Sequence, residues 1–372
     1  MSFVRTIPSA PLPPPVEARG AVLWLRQNLL SGPFSALFTF SACAALLWLV
    51  PQLWHYFVAD AVLSSPDGQA CRQPGAGMCW SFIANKMEFF LYSSYPRDQV
   101  WRVNSCLVSG AVLITWLLWP SARSKRLGGA LFFLVYPVAC FWLLHGFEAL
   151  SLRTVPTNLW GGIFVSLLVS LVGIVVSLPG GILLALGRRS QLPVVRFVST
   201  LFIEFVRGVP FITVLFMANT MLPLFVPENW SPDRLVRPLI GVSLFASAYM
   251  AEVVRGGLQA MDKGQYEGAQ ALGLTWWQMM RLIILPQALT TVIPGIVNTF
   301  IGLFKDTTLV AVVGIADFLR TVETARLDPA WAGPTISTSG YVFAGLFYFV
   351  FCYGMARYSL LMERRLSSGR KR

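Results

Sequence analysis

The chain contains 372 residues, of which 55% are hydrophobic and only 12% are charged. Soluble domains carry about 25% charged residues, and the mean hydropathy of this chain is +0.63. The composition therefore argues against a soluble enzyme and against a disordered or nucleic-acid-binding chain, and it is typical of an integral membrane protein. In such a protein the net charge of +12 matters through the location of its positive charges.

Eight segments with few or no charges are long enough to cross a membrane, which takes about 20 apolar residues in a helix. They are far longer than barrel strands, and the backbone of a spanning helix forms its hydrogen bonds internally. The sequence therefore predicts an all-α integral membrane fold. The predicted spans are residues 34–53, 104–120, 128–147, 160–186, 197–223, 238–256, 288–316 and 340–360.

The basic residues predict the orientation. With the N-terminus placed inside, 18 of the 29 lysines and arginines fall in inside segments and 9 in outside segments. The other two, Arg207 and Lys305, lie within predicted spans. Because cytoplasmic loops carry the excess of Lys and Arg, both termini are predicted to be cytoplasmic.

The chain divides near residue 155, with three spans before this point and five closely spaced spans after it. We expect four parts. These are a Pro-rich tail with a candidate amphipathic helix at 1–33, an extension at 34–155 with an outside loop at 54–103, a five-span core at 156–363, and a basic tail at 364–372. The amphipathic piece either lies in the inner interface or extends the first span.

Two of the six cysteines, Cys71 and Cys79, lie in the outside loop. A disulfide between them is plausible if the loop faces an oxidising compartment. The sequence does not give their Cα separation, so free thiols are the alternative.

The segment between spans six and seven, residues 262–287, is predicted to lie inside. Its pattern predicts a short helix, a stop at Gly273 in the left-handed conformation, a second amphipathic helix and a break at Pro286. Small residues at Gly268 and Ala269 make one face of the first helix flat. Two interpretations follow from these residues alone: a docking surface for a soluble partner, or an interfacial helix that packs on lipid.

The segment contains Glu267-Gly268-Ala269, then three residues, Gly273, nine residues, Ile283, one residue and Leu285-Pro286. This spacing resembles the EAA loop of bacterial ABC-importer permeases. Gly268 is a departure, because the family has Ala at this second position of the motif. The residues assigned to the motif are Gly264, Glu267, Gly268, Ala269, Gly273, Ile283, Leu285 and Pro286.

Segments on both sides of the loop resemble the polar amino-acid permeases; they are residues 205–210, 246–258, 294–301 and 305–309. This resemblance covers residues 156–363. The three preceding spans and their outside loop resemble the M subunit of general L-amino-acid permeases of the Aap/Bzt type.

The resemblance implies the five-helix permease core of a type I ABC importer in the bacterial inner membrane. It implies a second permease subunit, a periplasmic amino-acid-binding protein, and a pair of ATPase subunits that bind ATP and Mg²⁺ and dock on the EAA loop. This chain has no Gly-x-x-x-x-Gly-Lys-Ser/Thr run to cradle phosphates. We therefore expect a transport subunit for an amino-acid substrate, which binds no cofactor and no metal and is not an enzyme.

Other classes are less consistent with the sequence. A secondary transporter or a channel is compatible with charges inside the spans but does not require an EAA loop. With only two histidines, a membrane enzyme built on a Ser–His dyad or a His-rich metal site is difficult to assemble.

Two pairs of charges stand three residues apart, so each pair shares a helix face. Glu204 and Arg207 are predicted either to neutralise one another in span five or to contact substrate or act in a gate. Glu252 and Arg255 are predicted to form a salt bridge at the inner end of span six. Tyr249, on the same span, joins them as a candidate pathway or gating residue.

Span seven carries three further polar candidates. Lys305 and Asp306 are neighbours and point about 100° apart on a helix, so each is expected to find a partner on another span. Asn298 is expected either to hydrogen-bond between helices or to line the pathway. Intramembrane polar groups rarely face lipid.

Overall fold

The computed structural model describes residues 20–119, 121–147, 152–227 and 231–368. The predicted Pro-rich tail up to residue 19 and the end of the basic tail from residue 369 lie outside these ranges. The described chain is mostly helical, which confirms the all-α membrane fold.

The helices follow the chain in the order predicted by the apolar segments. They are α1 (Ala21–Asn28), α2 (Pro33–Trp54), α3 (Trp80–Tyr92), α4 (Val100–Leu118), α5 (Lys125–Ala130), α6 (Tyr136–His145), α7 (Ile163–Arg188), α8 (Pro193–Gly208), α9 (Phe211–Phe216), α10 (Val236–Gln259), α11 (Lys263–Ala271), α12 (Trp276–Met279), α13 (Leu285–Thr291), α14 (Ile293–Asp306), α15 (Phe318–Ala325) and α16 (Ile336–Ser368).

Seven helical segments of the described chain are long and apolar enough to cross a membrane, and a bent pair makes an eighth. They are Pro33–Ala59, Arg97–Leu118, Lys125–His145, Ile163–Arg188, Val236–Gln259, Ile293–Val313 and Ile336–Arg365, with the pair Pro193–Gly208 and Phe211–Phe225.

The prediction of one continuous fifth span over residues 197–223 is wrong. The two helical parts of this segment meet at an angle of 111°, and Val209 between them is extended, with φ −107° and ψ 137°. Pro210 is the cause, because proline disfavours helical geometry in the residue before it. The span is therefore broken.

The start of the seventh span and the predicted Pro286 break also differ from expectation. The span begins at Ile293, not at residue 288, because Pro294 occupies the first turn of α14, a position that needs no N–H. Pro286 does not end a helix. It lies in the first turn of α13, after a π-type turn at Met280–Ile284 that widens the helix before the residue that lacks an N–H.

Helices α7 and α10 form the most extensive helix pair. Glycines on α7 allow the close approach: a Cβ added at Gly180 would lie 2.4 Å from Ser247 Oγ, and one at Gly181 would lie 2.6 Å from Met250. Small residues are the usual means by which membrane helices pack closely. This pair forms the centre of the core.

The outside loop of the extension packs on the core. Helix α3 contacts α7, α15 and α16, and Phe82, Phe90, Phe318 and Trp331 belong to one buried apolar cluster. Nearby, two short strands pair in parallel, β1 (Gly161–Gly162) with β2 (Ala316–Asp317). The first span contrasts with the loop, since none of the residues of α2 is buried.

Candidate coupling loop and charged cluster

Helix α11 carries the first half of the predicted motif and ends where the sequence predicts. Gly273 has φ +71°, its N–H donates to Gln270 O, and the N–H of Leu274 donates to Ala269 O at 3.2 Å. A glycine reaches this left-handed conformation at little cost. The predicted glycine stop is confirmed.

The following helix begins at Thr275 with a reciprocal cap. The side chain of Thr275 accepts from the N–H of Gln278, and the side chain of Gln278 accepts from the N–H of Thr275. This arrangement satisfies two N–H groups that would otherwise lack partners at a helix start. The two short helices therefore meet at a defined corner.

The motif residues divide between an exposed face and a packed face. Glu267 is exposed, and a Cβ added at Gly264 or Gly268 would meet nothing within 4 Å. Leu272 and Trp277, which are 76% and 67% exposed, extend this surface. We call these five residues the coupling face.

The opposite side of the motif packs against the bundle. Ala269 is 2% exposed and belongs to a buried cluster with Met250, Val254 and Ile284. Ile283 and Leu285 are partly buried against the same cluster, and Pro286 is exposed. The loop is therefore a packed extension of the bundle with one open face.

Polar contacts tie the loop to the ends of two spans. Arg189, just after α7, donates from Nη1 to Leu258 O of α10 at 3.1 Å and to the hydroxyl of Tyr266 on α11 at 3.2 Å. Its guanidinium lies 5.8 Å from the centre of the Tyr266 ring. A second link joins Gln287 Nε2 to Gln265 Oε1 at 2.9 Å.

Charged residues from three helices meet beside the loop. Glu252 of α10 accepts from Arg188 of α7 at 2.7 Å and from Arg255 at 2.7 Å, and it lies 3.6 Å from Arg207 of α8. Only 15% of the Glu252 side chain is exposed. The predicted pairing of Glu252 with Arg255 is confirmed.

The predicted pairing of Glu204 with Arg207 is wrong. Glu204 Oε1 instead lies 2.8 Å from Arg188 Nη2, and Arg207 turns towards Glu252 and stacks on Tyr249, with its Cζ 5.7 Å from the ring centre. Shared helix faces permit an i, i+3 pair, but a guanidinium from a neighbouring helix takes its place. We call Arg188, Glu204, Arg207, Glu252 and Arg255 the charged cluster.

The polar residues of α14 have no partners of the predicted kind. Within the described ranges, the side chains of Asn298, Lys305 and Asp306 make no hydrogen bond or ion pair, so the expected interhelical partners are absent. Asn298 and Lys305 are exposed, and Asp306 is partly exposed. Their predicted place in a pathway stays a prediction.

Sequence reasoning missed the roles of Arg188 and Arg189. The sequence predicts for them no more than positive charges at the inner end of a span. The available signal was that two adjacent arginines directly follow an uncharged run. Nothing in the sequence indicated that one would contact the cluster and the other the loop.

The two loop cysteines lie together at the other end of the molecule. Cys71 and Cys79 are joined in the structure, with Cα atoms 5.8 Å apart, which is within the usual range for a disulfide. Both are fully buried.

The family described as binding-protein-dependent transport system inner membrane component matches residues 177–368. Over 361 residues the chain is 47% identical to the inner membrane amino-acid ABC transporter permease protein YhdY of Escherichia coli (strain K12), covering 97% of each chain. Over 431 aligned positions it is 39% identical to the glutamate/glutamine/aspartate/asparagine transport system permease protein BztC of Rhodobacter capsulatus, covering 98% of each.

A third relative, the glutamate/aspartate import permease protein GltK of Escherichia coli O6:H1, is 32% identical over 227 residues. That alignment covers 99% of GltK but only 60% of this chain, whereas YhdY and BztC match nearly the whole length. The chain therefore belongs to the family of binding-protein-dependent transport system inner membrane components, as a multi-pass permease component of amino-acid ABC transporters.

Proposed function

We propose that this chain forms the translocation pathway of an ATP-driven L-amino-acid importer together with a second permease subunit. Partner ATPase subunits, which bind ATP and Mg²⁺, dock on the coupling face of this chain. A periplasmic binding protein delivers the amino acid to the opposite end, and both termini are cytoplasmic.

The observation that supports this proposal is that the loop has one exposed face and one face packed against the bundle. Glu267, Gly268, Leu272 and Trp277 are exposed, while Ala269 on the other side is buried against the bundle. Aromatic and apolar anchors are enriched in protein interfaces, and flat glycine positions admit a close surface. Because α11 is tied to α7 and α10 through Arg189 and Tyr266, a push on this face reaches the spans directly.

Alternating access then follows from movement of α10 and α14. Helix α10 is connected to α11 by the three residues 260–262, and α13 leads into α14 through the non-helical residue Val292. Displacement of the loop therefore moves both α10 and α14. Tyr249, Asn298, Lys305 and Asp306 are the pathway candidates, because each has an exposed or partly exposed side chain on one of these two helices.

The test adds bulk to the coupling face and measures both docking and uptake. Gly268→Trp is expected to prevent co-purification of the ATPase subunits and to abolish amino-acid uptake in the reconstituted transporter, with an unchanged melting temperature. Gly129→Trp is the matched control, since a Cβ there also meets nothing within 4 Å and the residue lies on α5, away from the loop.

Normal docking and normal uptake by Gly268→Trp would contradict the proposal. Uptake that depends on an ion gradient and persists without any ATPase subunit would instead support a secondary transporter or a channel.

A further inference from the structure

Arg188 makes contacts that single it out among the arginines at this end of the bundle. Its Nη2 lies 2.8 Å from Glu204 Oε1 on α8, and its Nη1 lies 2.7 Å from Glu252 Oε1 on α10. The residue itself ends α7. One guanidinium therefore joins the ends of three helices.

The next residue in the chain connects the same point to the coupling loop. Arg189 donates to Tyr266 on α11 and to Leu258 O at the end of α10. Adjacent residues thus hold the loop on one side and the charged cluster on the other. A displacement of α11 that moves Arg189 also moves Arg188.

The charged cluster lies next to the break in the fifth span. Glu204 and Arg207 lie in the last turns of α8, and both face partners on other helices. The chain bends by 111° directly after this helix. Helix α8 can therefore follow α7 and α10 without carrying α9 along the same axis.

The geometry of an arginine suits this link better than that of a lysine. A guanidinium is planar and rigid and presents several N–H groups in fixed directions, whereas an ammonium is a point charge on a flexible stem. Charge-assisted hydrogen bonds of this kind are also the stronger ones. Two carboxylates on different helices are thus held in one geometry.

We propose that Arg188 is a positioning residue that transmits displacement of the coupling loop to α8, the first half of the broken span. This inference rests on the proposed function. It adds that a positive charge alone is not sufficient for the link. The forked guanidinium is required, because its two nitrogens contact different helices.

The test uses the assembled transporter in vesicles, with both permeases, the ATPase subunits and the binding protein. Arg188→Gln removes the charge and the fork, and Arg188→Lys keeps the charge but removes the fork. Arg196→Gln is the matched control, because Arg196 lies on α8 and, among the residues that the structure describes, its guanidinium donates only to the backbone oxygen of Ser190. Co-purified ATPase, ATP hydrolysis and uptake per ATP hydrolysed are measured.

Both Arg188 variants are expected to keep their ATPase subunits. Uptake per ATP hydrolysed should fall at least about tenfold in Arg188→Gln, because the guanidinium loses its charge-assisted contacts to both Glu204 and Glu252. It should also fall several-fold in Arg188→Lys, whose melting temperature stays near that of the wild type. Arg196→Gln should match the wild type.

Full coupling in Arg188→Lys would overturn the inference, since charge alone would then suffice. Loss of the ATPase subunits from Arg188→Gln would also overturn it, because Arg188 would then be required for assembly of the complex and not for transmission of movement. If the wild-type complex itself held no ATPase, the proposed function would fail first, so the two failures are distinguishable.

Discussion

Lys86 on α3 donates a hydrogen bond from Nζ to Oδ2 of Asp328, a residue 242 positions later in the chain. The two side chains are 21% and 30% exposed. The hydrogen bond from Lys86 holds the pKa of Asp328 below its ordinary value. This contact fastens the loop of the extension to the segment between the last two spans.

Arg72 strengthens the same attachment. Its Nε donates to Ala332 O at 2.7 Å, and its Nη2 donates to the carbonyl oxygens of Pro329 and Ala330. The N–H of Cys79 donates to Ser339 Oγ at 2.9 Å. The loop is therefore a structural part of the core at this end.

A double-mutant cycle on Lys86→Gln and Asp328→Asn should give a coupling free energy of up to about 1 kcal/mol, the upper end of the range for exposed ion pairs. Because the pKa of Asp328 is lowered by folding, this contribution is present above the ordinary value of 3.8 and is lost as the pH falls through the folded pKa. Thermal melting of the purified chain measures it. The Arg97–Glu88 pair, 50% and 60% exposed, is the control and should couple more weakly; equal coupling would contradict this account.

The disulfide should stabilise the same loop. Closing a short loop of this size is expected to contribute about 2–3 kcal/mol by restricting the unfolded chain, so Cys71→Ser with Cys79→Ser should lower the melting temperature. Thiol labelling without reductant should leave both residues unmodified in denatured wild-type protein. The control is Cys43, which is exposed and free and should label. Labelling of Cys71 and Cys79 under these conditions would show that they are not bridged.

Stability should depend on pH through Asp317, which is fully buried and caps α15 by accepting from the N–H groups of Leu319 and Arg320. Burial raises its pKa from 3.8 to about 7, and the charge of nearby Glu323 acts in the same direction. The folded state thus binds the proton more tightly, so stability is fully present below pH 3.8 and is lost as the pH rises through about 7.

Asp317→Asn keeps an acceptor for the helix start but does not titrate. Its melting temperature should therefore change little between pH 4 and pH 7, while that of the wild type falls. This pH range runs from about the ordinary pKa of the carboxyl group, 3.8, to its pKa in the folded state, about 7. Asp67→Asn, a change in the outside loop, serves as control and should keep the wild-type slope. An unchanged slope in Asp317→Asn would assign the pH dependence to another group.

Two glycines of the coupling loop should respond in opposite directions to alanine. Gly273→Ala should destabilise by about 1 kcal/mol, because φ +71° is unfavourable for a residue with a Cβ. Gly268→Ala lies inside α11 with free space around it and should gain up to about 1 kcal/mol in helix stability. Melting temperatures decide the signs. Uptake by Gly268→Ala should stay normal, since alanine stands at this motif position in the family; a loss of uptake would contradict the flat-face account.

The sequence predicted most spans, the glycine stop and the loop as a whole, because these depend on local hydropathy and on backbone preferences of single residues. It missed the break before Pro210, and it predicted a break at Pro286 where the helix continues. Proline constrains only its immediate backbone, and a wide turn such as Met280–Ile284 decides whether a helix absorbs it. Periodicity contains no information about such a turn.

Local hydropathy is sufficient to predict a helical membrane protein, and motif spacing is sufficient to predict an EAA-like loop between the sixth and seventh spans, since apolar length and spacing are local properties. The packing of the helices, in contrast, determines that Glu204 pairs with Arg188 and that Arg188 also reaches Glu252, 64 residues away. Ion-pair choice depends on how close the ends of packed helices lie. That distance is set by the glycine-mediated approach of α7 to α10, and no spacing along the chain encodes it.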